Sequence, residues 1–104
     1  MKAIQLSIGI ALCFFSVSSI AAPKINILTR LNNDKFTQVR ITNGTLKELA
    51  CYVAIDGFKR KFTLLPKDSS EWYTATDVRY KYSDFRTWCD FIEFYPEYQK
   101  YKRY

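Results

Sequence analysis

Two dipeptides, Asn43-Gly44 and Asp56-Gly57, sit between runs of alternating apolar residues and most constrain what this chain can fold into. Asn and Asp tolerate a left-handed backbone and Gly adopts it freely, so both pairs predict the tight turns of β-hairpins. The flanks agree with period two, which makes half-buried strands. Val39 and Ile41 lead into the first pair. Cys51, Val53 and Ile55 lead into the second, and Phe58, Phe62 and Leu64 leave it with Lys59 and Lys61 on the opposite face.

More strands follow from the same alternation. Ile25, Ile27, Thr29 and Leu31 precede the polar turn Asn32-Asn33-Asp34. After the Leu65-Pro66-Lys67-Asp68-Ser69 turn, residues 70–74 with Trp72 and Tyr73 read as a short strand, and residues 76–82 as a loop. Residues 83–95 fit two periods. With period two, Phe85, Thr87, Cys89 and Phe91 share a face, and Cys89 comes across from Cys51. With helical spacing, Phe85, Trp88, Cys89, Ile92 and Tyr95 form one stripe behind Ser83 as N-cap. Aromatic and β-branched enrichment favours the strand. The expected fold is therefore mainly β, a small antiparallel β-sandwich or sheet with one disulfide, and the alternative is α+β with a C-terminal helix over residues 84–95. Pro96 ends either element, leaving a polar-aromatic tail, 97–104.

An address precedes the strands. Met1 and Lys2 give a positive start, residues 3–17 are apolar apart from Gln5, Ser7 and Ser16, and the run ends in Ser18-Ser19-Ile20-Ala21-Ala22-Pro23. This is the pattern of a secretory signal peptide. Cleavage after Ala21 puts small residues at both recognition positions and keeps Pro23 away from the scissile bond. A membrane-spanning helix wants about 20 apolar residues, more than this segment supplies. A lipid-modified Cys13 is disfavoured by the bulky Leu12 before it. The expected organisation is a signal peptide, 1–21, and one globular β-rich domain, 22–104. The protein is then exported, periplasmic or secreted, and no transmembrane helix remains after processing.

Loss of the leader removes Cys13 and leaves Cys51 and Cys89. Two cysteines in an exported chain pair by default. A metal site would need more ligands than two distant cysteines, and a redox site usually shows Cys-x-x-Cys. Losing Lys2 takes 16 Lys+Arg to 15 against 10 Asp+Glu, a net charge of +5.

Val39-x-Ile41-x-Asn43-x-Thr45, Cys51-Tyr52-Val53-Ala54-Ile55-Asp56-Gly57 and Phe62-x-Leu64-x-Pro66-x-x-Ser69-x-x-Trp72 together resemble the first half of an immunoglobulin-like β-sandwich, over about 35 residues. The strand after the first cysteine lacks the tryptophan of antibody-type domains. The chain as a whole resembles small exported bacterial proteins. These likenesses imply a sandwich and carry no activity with them.

The sequence contains no histidine, which removes Ser-His-Asp and Cys-His nucleophile systems and the commonest base near neutral pH. No Gly-rich phosphate loop is present. The nearest approach to a catalytic pair is the acidic set Asp84, Asp90 and Glu93, of the kind a two-carboxylate hydrolase uses, but it reads more simply as solvent-facing partners of nearby cations. No catalytic residue, metal or cofactor is expected. Asn43-Gly44-Thr45 fits an N-glycosylation pattern but is better explained as a turn.

Two basic clusters stand out. Lys59-Arg60-Lys61 puts Lys59 and Lys61 on the exposed side of a strand, with Arg60 on the other face or at its edge. The tail interleaves Lys100, Tyr101, Lys102 and Arg103 with further tyrosines. A surface of Lys59, Lys61, Lys100, Tyr101, Lys102 and Arg103 suits an acidic protein, an acidic glycan or an anionic membrane surface. Single-stranded nucleic acid would suit the rings and cations too, but an exported protein seldom meets it. The plainer reading is that the lysines blunt a sheet edge and the tail tyrosines pack back on the sheet. The sequence thus points to an exported, non-enzymatic binding or accessory protein acting on an envelope component or protein partner. A small carboxylate-dependent hydrolase and a secreted inhibitor are the alternatives.

Overall fold

The structure, a computed structural model, describes residues 22–104; the expected signal peptide and Cys13 lie outside the described residues. The fold is mainly β. Seven strands, β1 (Ile25–Leu31), β2 (Thr37–Asn43), β3 (Leu49–Ile55), β4 (Phe58–Leu64), β5 (Tyr73–Thr74), β6 (Arg86–Phe91) and β7 (Lys102–Arg103), form two sheets. One has the order β1-β2-β5 and the other β6-β3-β4-β7. All pairings are antiparallel except β4 with β7.

The alternation dictates which side chains meet between the sheets. Val39 and Ile41 of β2 face Leu49, Cys51 and Val53 of β3 and Phe62 and Leu64 of β4, all at 2% exposure or less. Phe62 anchors this layer: its ring stacks on Tyr73 at 5.3 Å and meets the edge of Tyr104 at 5.6 Å. Complete burial of such a side chain contributes roughly 2 to 3 kcal/mol.

The two Gly turns behave differently. Asp56 and Gly57 have φ of 50° and 79° and close the β3–β4 hairpin, as their chemistry predicts. Asn43-Gly44 closes no hairpin, which corrects the expectation: β2 and β3 belong to different sheets, and this pair makes the corner between them. The corner is built by the Asn43 side chain, which is fully buried. Its amide donates to the carbonyls of Lys47, Leu64 and Leu65, and its Oδ1 accepts from the N–H and hydroxyl of Thr45. Gly44 is needed for close approach: its N–H donates to Lys24 O at 3.0 Å, and a Cβ would lie 3.0 Å from the same oxygen. The glycosylation pattern at Asn43 is thus folded into the interior.

Residues 83–95 take the strand reading. β6 pairs with β3 in a register that sets Cys89 opposite Cys51 and Trp88 opposite Tyr52, and the two cysteines are joined. A helix over 84–95 would forfeit that whole ladder. Short 3-10 turns flank β6 at Tyr82–Asp84 and Ile92–Phe94. The strand expected over 70–74 shortens to Tyr73–Thr74, with Ser69 bridging to Thr42. The tail is not loose: Pro96 opens a 3-10 helix, Pro96–Lys100, and β7 follows it.

Candidate functional site

The outer face of the four-stranded sheet gathers rings and cations from four distant segments. Even-numbered residues of β3 and β6 point away from the disulfide, so Tyr52 and Trp88, directly paired in register, stack there at 5.4 Å. The Pro96–Lys100 helix folds back over them. Trp88 meets Tyr95 edge-on at 4.9 Å and Tyr98 at 5.8 Å, and Tyr98 meets Tyr101 at 5.3 Å. Burial raises the Tyr98 phenol above its ordinary value, with smaller contributions from Tyr101 and Glu97.

β4 borders this ring cluster with ammonium groups. Its odd-numbered residues share the outer face, so Lys59 Nζ lies 4.4 Å above the Tyr52 ring, and Lys61 Nζ sits 5.8 Å from Tyr98 and 5.6 Å from Tyr101. Lys100 Nζ lies 5.3 Å from the centre of the Tyr101 ring. A cation over a ring face within about 6 Å is attracted by the ring quadrupole, which orients these lysines while leaving their charge in solvent. Among the described residues, none of the three has a carboxylate within ion-pair distance.

The inner face of β4 carries a different set. Arg60 is opposite the inward-facing Val53 and so lies on the inner face of β4, exposed at the groove described next, in agreement with the sequence parity. Where the β3–β4 hairpin extends past the three-stranded sheet, a groove of about 640 Å³ opens, with Val53, Ile55, Phe58 and Phe62 on one wall and Tyr73 and Tyr104 nearby. Tyr73 donates to the Tyr104 hydroxyl at 3.3 Å, and Tyr104 donates to Glu71 Oε2. Burial, then the bond to Tyr104, pushes the Tyr73 phenol far above its ordinary range. Tyr104 is raised as well, first by burial and then by Glu71.

The predicted surface therefore divides. Lys59, Lys61, Lys100 and Tyr101 come together around the outer rings. Lys102 does not join them: parallel pairing with β4 sets it beside Phe62, on the inner side, 3.7 Å from Glu71. Arg103 points the other way and is bound to Glu48 Oε2 at 3.0 Å. Comparison with protein-family models, curated proteins and solved structures finds no match to this chain.

The three carboxylates weighed for hydrolysis do not converge. Asp84 lies before β6 and accepts from the Lys81 N–H, Asp90 accepts from the N–H of Phe91, and Glu93 lies beyond β6 and pairs with Lys47. No cluster of three or more metal-type ligands occurs among the described residues. Tyr52, Trp88, Tyr95 and Tyr98 are members of the outer face that the sequence reading did not assign to a site. Parity in β3 and β6 is the available signal for Tyr52 and Trp88, and the packing of the tail tyrosines back on the sheet follows the plainer reading of the tail, though its landing place beside Trp88 had no local signal.

Proposed function

We propose that this protein is an exported, non-enzymatic binding protein that docks on an anionic glycan of the cell envelope through the outer face of its four-stranded sheet. The observation that carries this reading is the placement of Lys59, Lys61 and Lys100 around the Tyr52–Trp88–Tyr98–Tyr101 rings with no carboxylate partner of their own among the described residues. Cations held over rings attract phosphate or carboxylate groups, and the amphipathic Tyr and Trp side chains offer flat surface at low entropic cost. A disulfide suits an oxidising compartment, and among the described residues no helix is long and apolar enough to cross a membrane. The disulfide supports export.

The test is binding of the purified protein to an immobilised carboxylated polysaccharide, a neutral polysaccharide and anionic phospholipid vesicles, at low and high salt. Salt-sensitive retention on the charged glycan alone is expected, weakened about tenfold or more by combined Lys59→Glu, Lys61→Glu and Lys100→Glu. Equal retention on the neutral polymer, preference for vesicles, or indifference to the three substitutions would overturn the reading.

A further inference from the structure

β1 is an edge strand whose apolar residues are not covered. Ile27, Leu28 and Leu31 are 45%, 46% and 62% exposed, on both faces of the strand. Its ladder to β2 is bracketed by the bonds Gly44 N–H to Lys24 O and Asn32 N–H to Phe36 O. Antiparallel bonds alternate along a strand. The even-numbered residues Asn26, Leu28 and Arg30 therefore bond β2, and Ile25, Ile27, Thr29 and Leu31 turn their N–H and C=O groups outward. β1 ends its sheet, so these groups have no strand partner among the described residues.

Proteins usually guard such an edge with a charge, a proline or a bulge. β1 has neither proline nor bulge, and its one charge is drawn back onto its own sheet. Arg30 lies 4.0 Å above the Trp72 ring and donates to Gln38 Oε1 at 2.7 Å.

We infer that β1 pairs edge to edge with β1 of a second copy of this chain, antiparallel about a two-fold axis at Leu28, joining two three-stranded sheets into one of six strands. The register follows from three conditions. Side-chain faces must match, which requires residues of like parity to be opposed. All four outward-bonding residues must meet one another, and centring on Leu28 does this by opposing Ile25 with Leu31 and Ile27 with Thr29, whereas centring on Thr29 leaves Ile25 opposite the turn residue Asn33. Like charges must not meet: this centre sets Arg30 against Asn26, whereas centring one residue earlier opposes Arg30 with Lys24, and centring on Arg30 opposes it with itself. The self-complementary strand makes a second copy the occupant, and the closed two-fold contact leaves no further β1 edge. One strand pair buries less than a standard interface, so association is expected in the micromolar to millimolar range.

Analytical ultracentrifugation of the purified protein across that range, with hydrogen exchange at both ends of it, tests the inference. A monomer–dimer equilibrium is expected, with the amides of Ile25, Ile27, Thr29 and Leu31 gaining protection in the dimer. Leu28→Glu and Leu28→Arg each oppose like charges at the axis and should weaken association about tenfold or more, while an equimolar mixture of the two should recover it. Thr29→Pro should also abolish pairing, because its N–H lies outside the β2 ladder. A monomer throughout, or a dimer insensitive to the Leu28 variants, would overturn the inference.

Discussion

Cys51 and Cys89 stand opposite each other in register on neighbouring strands of one sheet, with Cα atoms 4.1 Å apart. The disulfide therefore ties edge strand β6 to central strand β3 within a sheet, and spans 38 positions of sequence. In the chain-entropy account, closing a loop of that size stabilises the fold by about 3 to 4 kcal/mol. The paired Cys51→Ala and Cys89→Ala variant should lose about that much in urea denaturation, with amide protection falling first in β6. An unchanged midpoint would contradict this.

Asn43 satisfies three carbonyls from two separate segments while buried. Replacing it with Ala removes these bonds and takes the acceptor from the Thr45 N–H, while Lys47 O keeps the Thr45 hydroxyl and Leu65 O keeps the Asp68 N–H; each hydrogen bond lost is worth roughly 0.5 to 1.5 kcal/mol. Asn43→Ala is expected to destabilise by about 3 kcal/mol, measured by thermal or urea unfolding. Asn43→Asp should do no better, because a carboxylate cannot donate to those carbonyls.

Gly44 and Gly57 separate two reasons for glycine. At Gly57 a side chain would meet nothing within 4 Å, but φ is positive. At Gly44 the obstacle is Lys24 O. Gly57→Ala should cost about 1 kcal/mol from the left-handed backbone alone, and Gly57→Asn much less. Gly44→Ala should cost roughly 1 to 3 kcal/mol by overpacking, and Gly44→Asn at least as much. Denaturation midpoints of the four variants test the contrast.

Tyr73 gives a pH dependence. Its phenol is raised above the ordinary value of 10.0 in the folded protein, chiefly by burial. The folded state therefore holds this proton more tightly than the unfolded chain does. The contribution to stability is complete below pH 10 and is lost as pH rises from there toward the folded value. Melting temperatures should fall above pH 10, and Tyr73→Phe, which cannot ionise, should flatten that slope. An unaltered alkaline slope in the variant would assign it to other tyrosines.

What the sequence determined by itself was local. Alternation in residues 25–31, 49–55 and 58–64 settled strands and faces because successive side chains of a strand point to opposite sides. Asp56-Gly57 settled a hairpin because the required backbone is a property of those two residues. Tertiary structure decided the rest. Asn43-Gly44 carries the same local signal, yet its amide finds acceptors at Leu64 and Leu65, 21 and 22 residues away, and makes a corner between sheets. Residues 86–91 suited either period until β3 supplied a ladder and Cys51 a partner. The face proposed to bind is assembled from Tyr52, Lys59, Lys61, Trp88, Tyr98 and Lys100, which no local pattern brings together. Neighbours in the tail, Lys102 and Arg103, were separated onto opposite faces by pairing of β7 with β4, a contact that joins Phe62 to Lys102 and Thr63 to Arg103 across the chain.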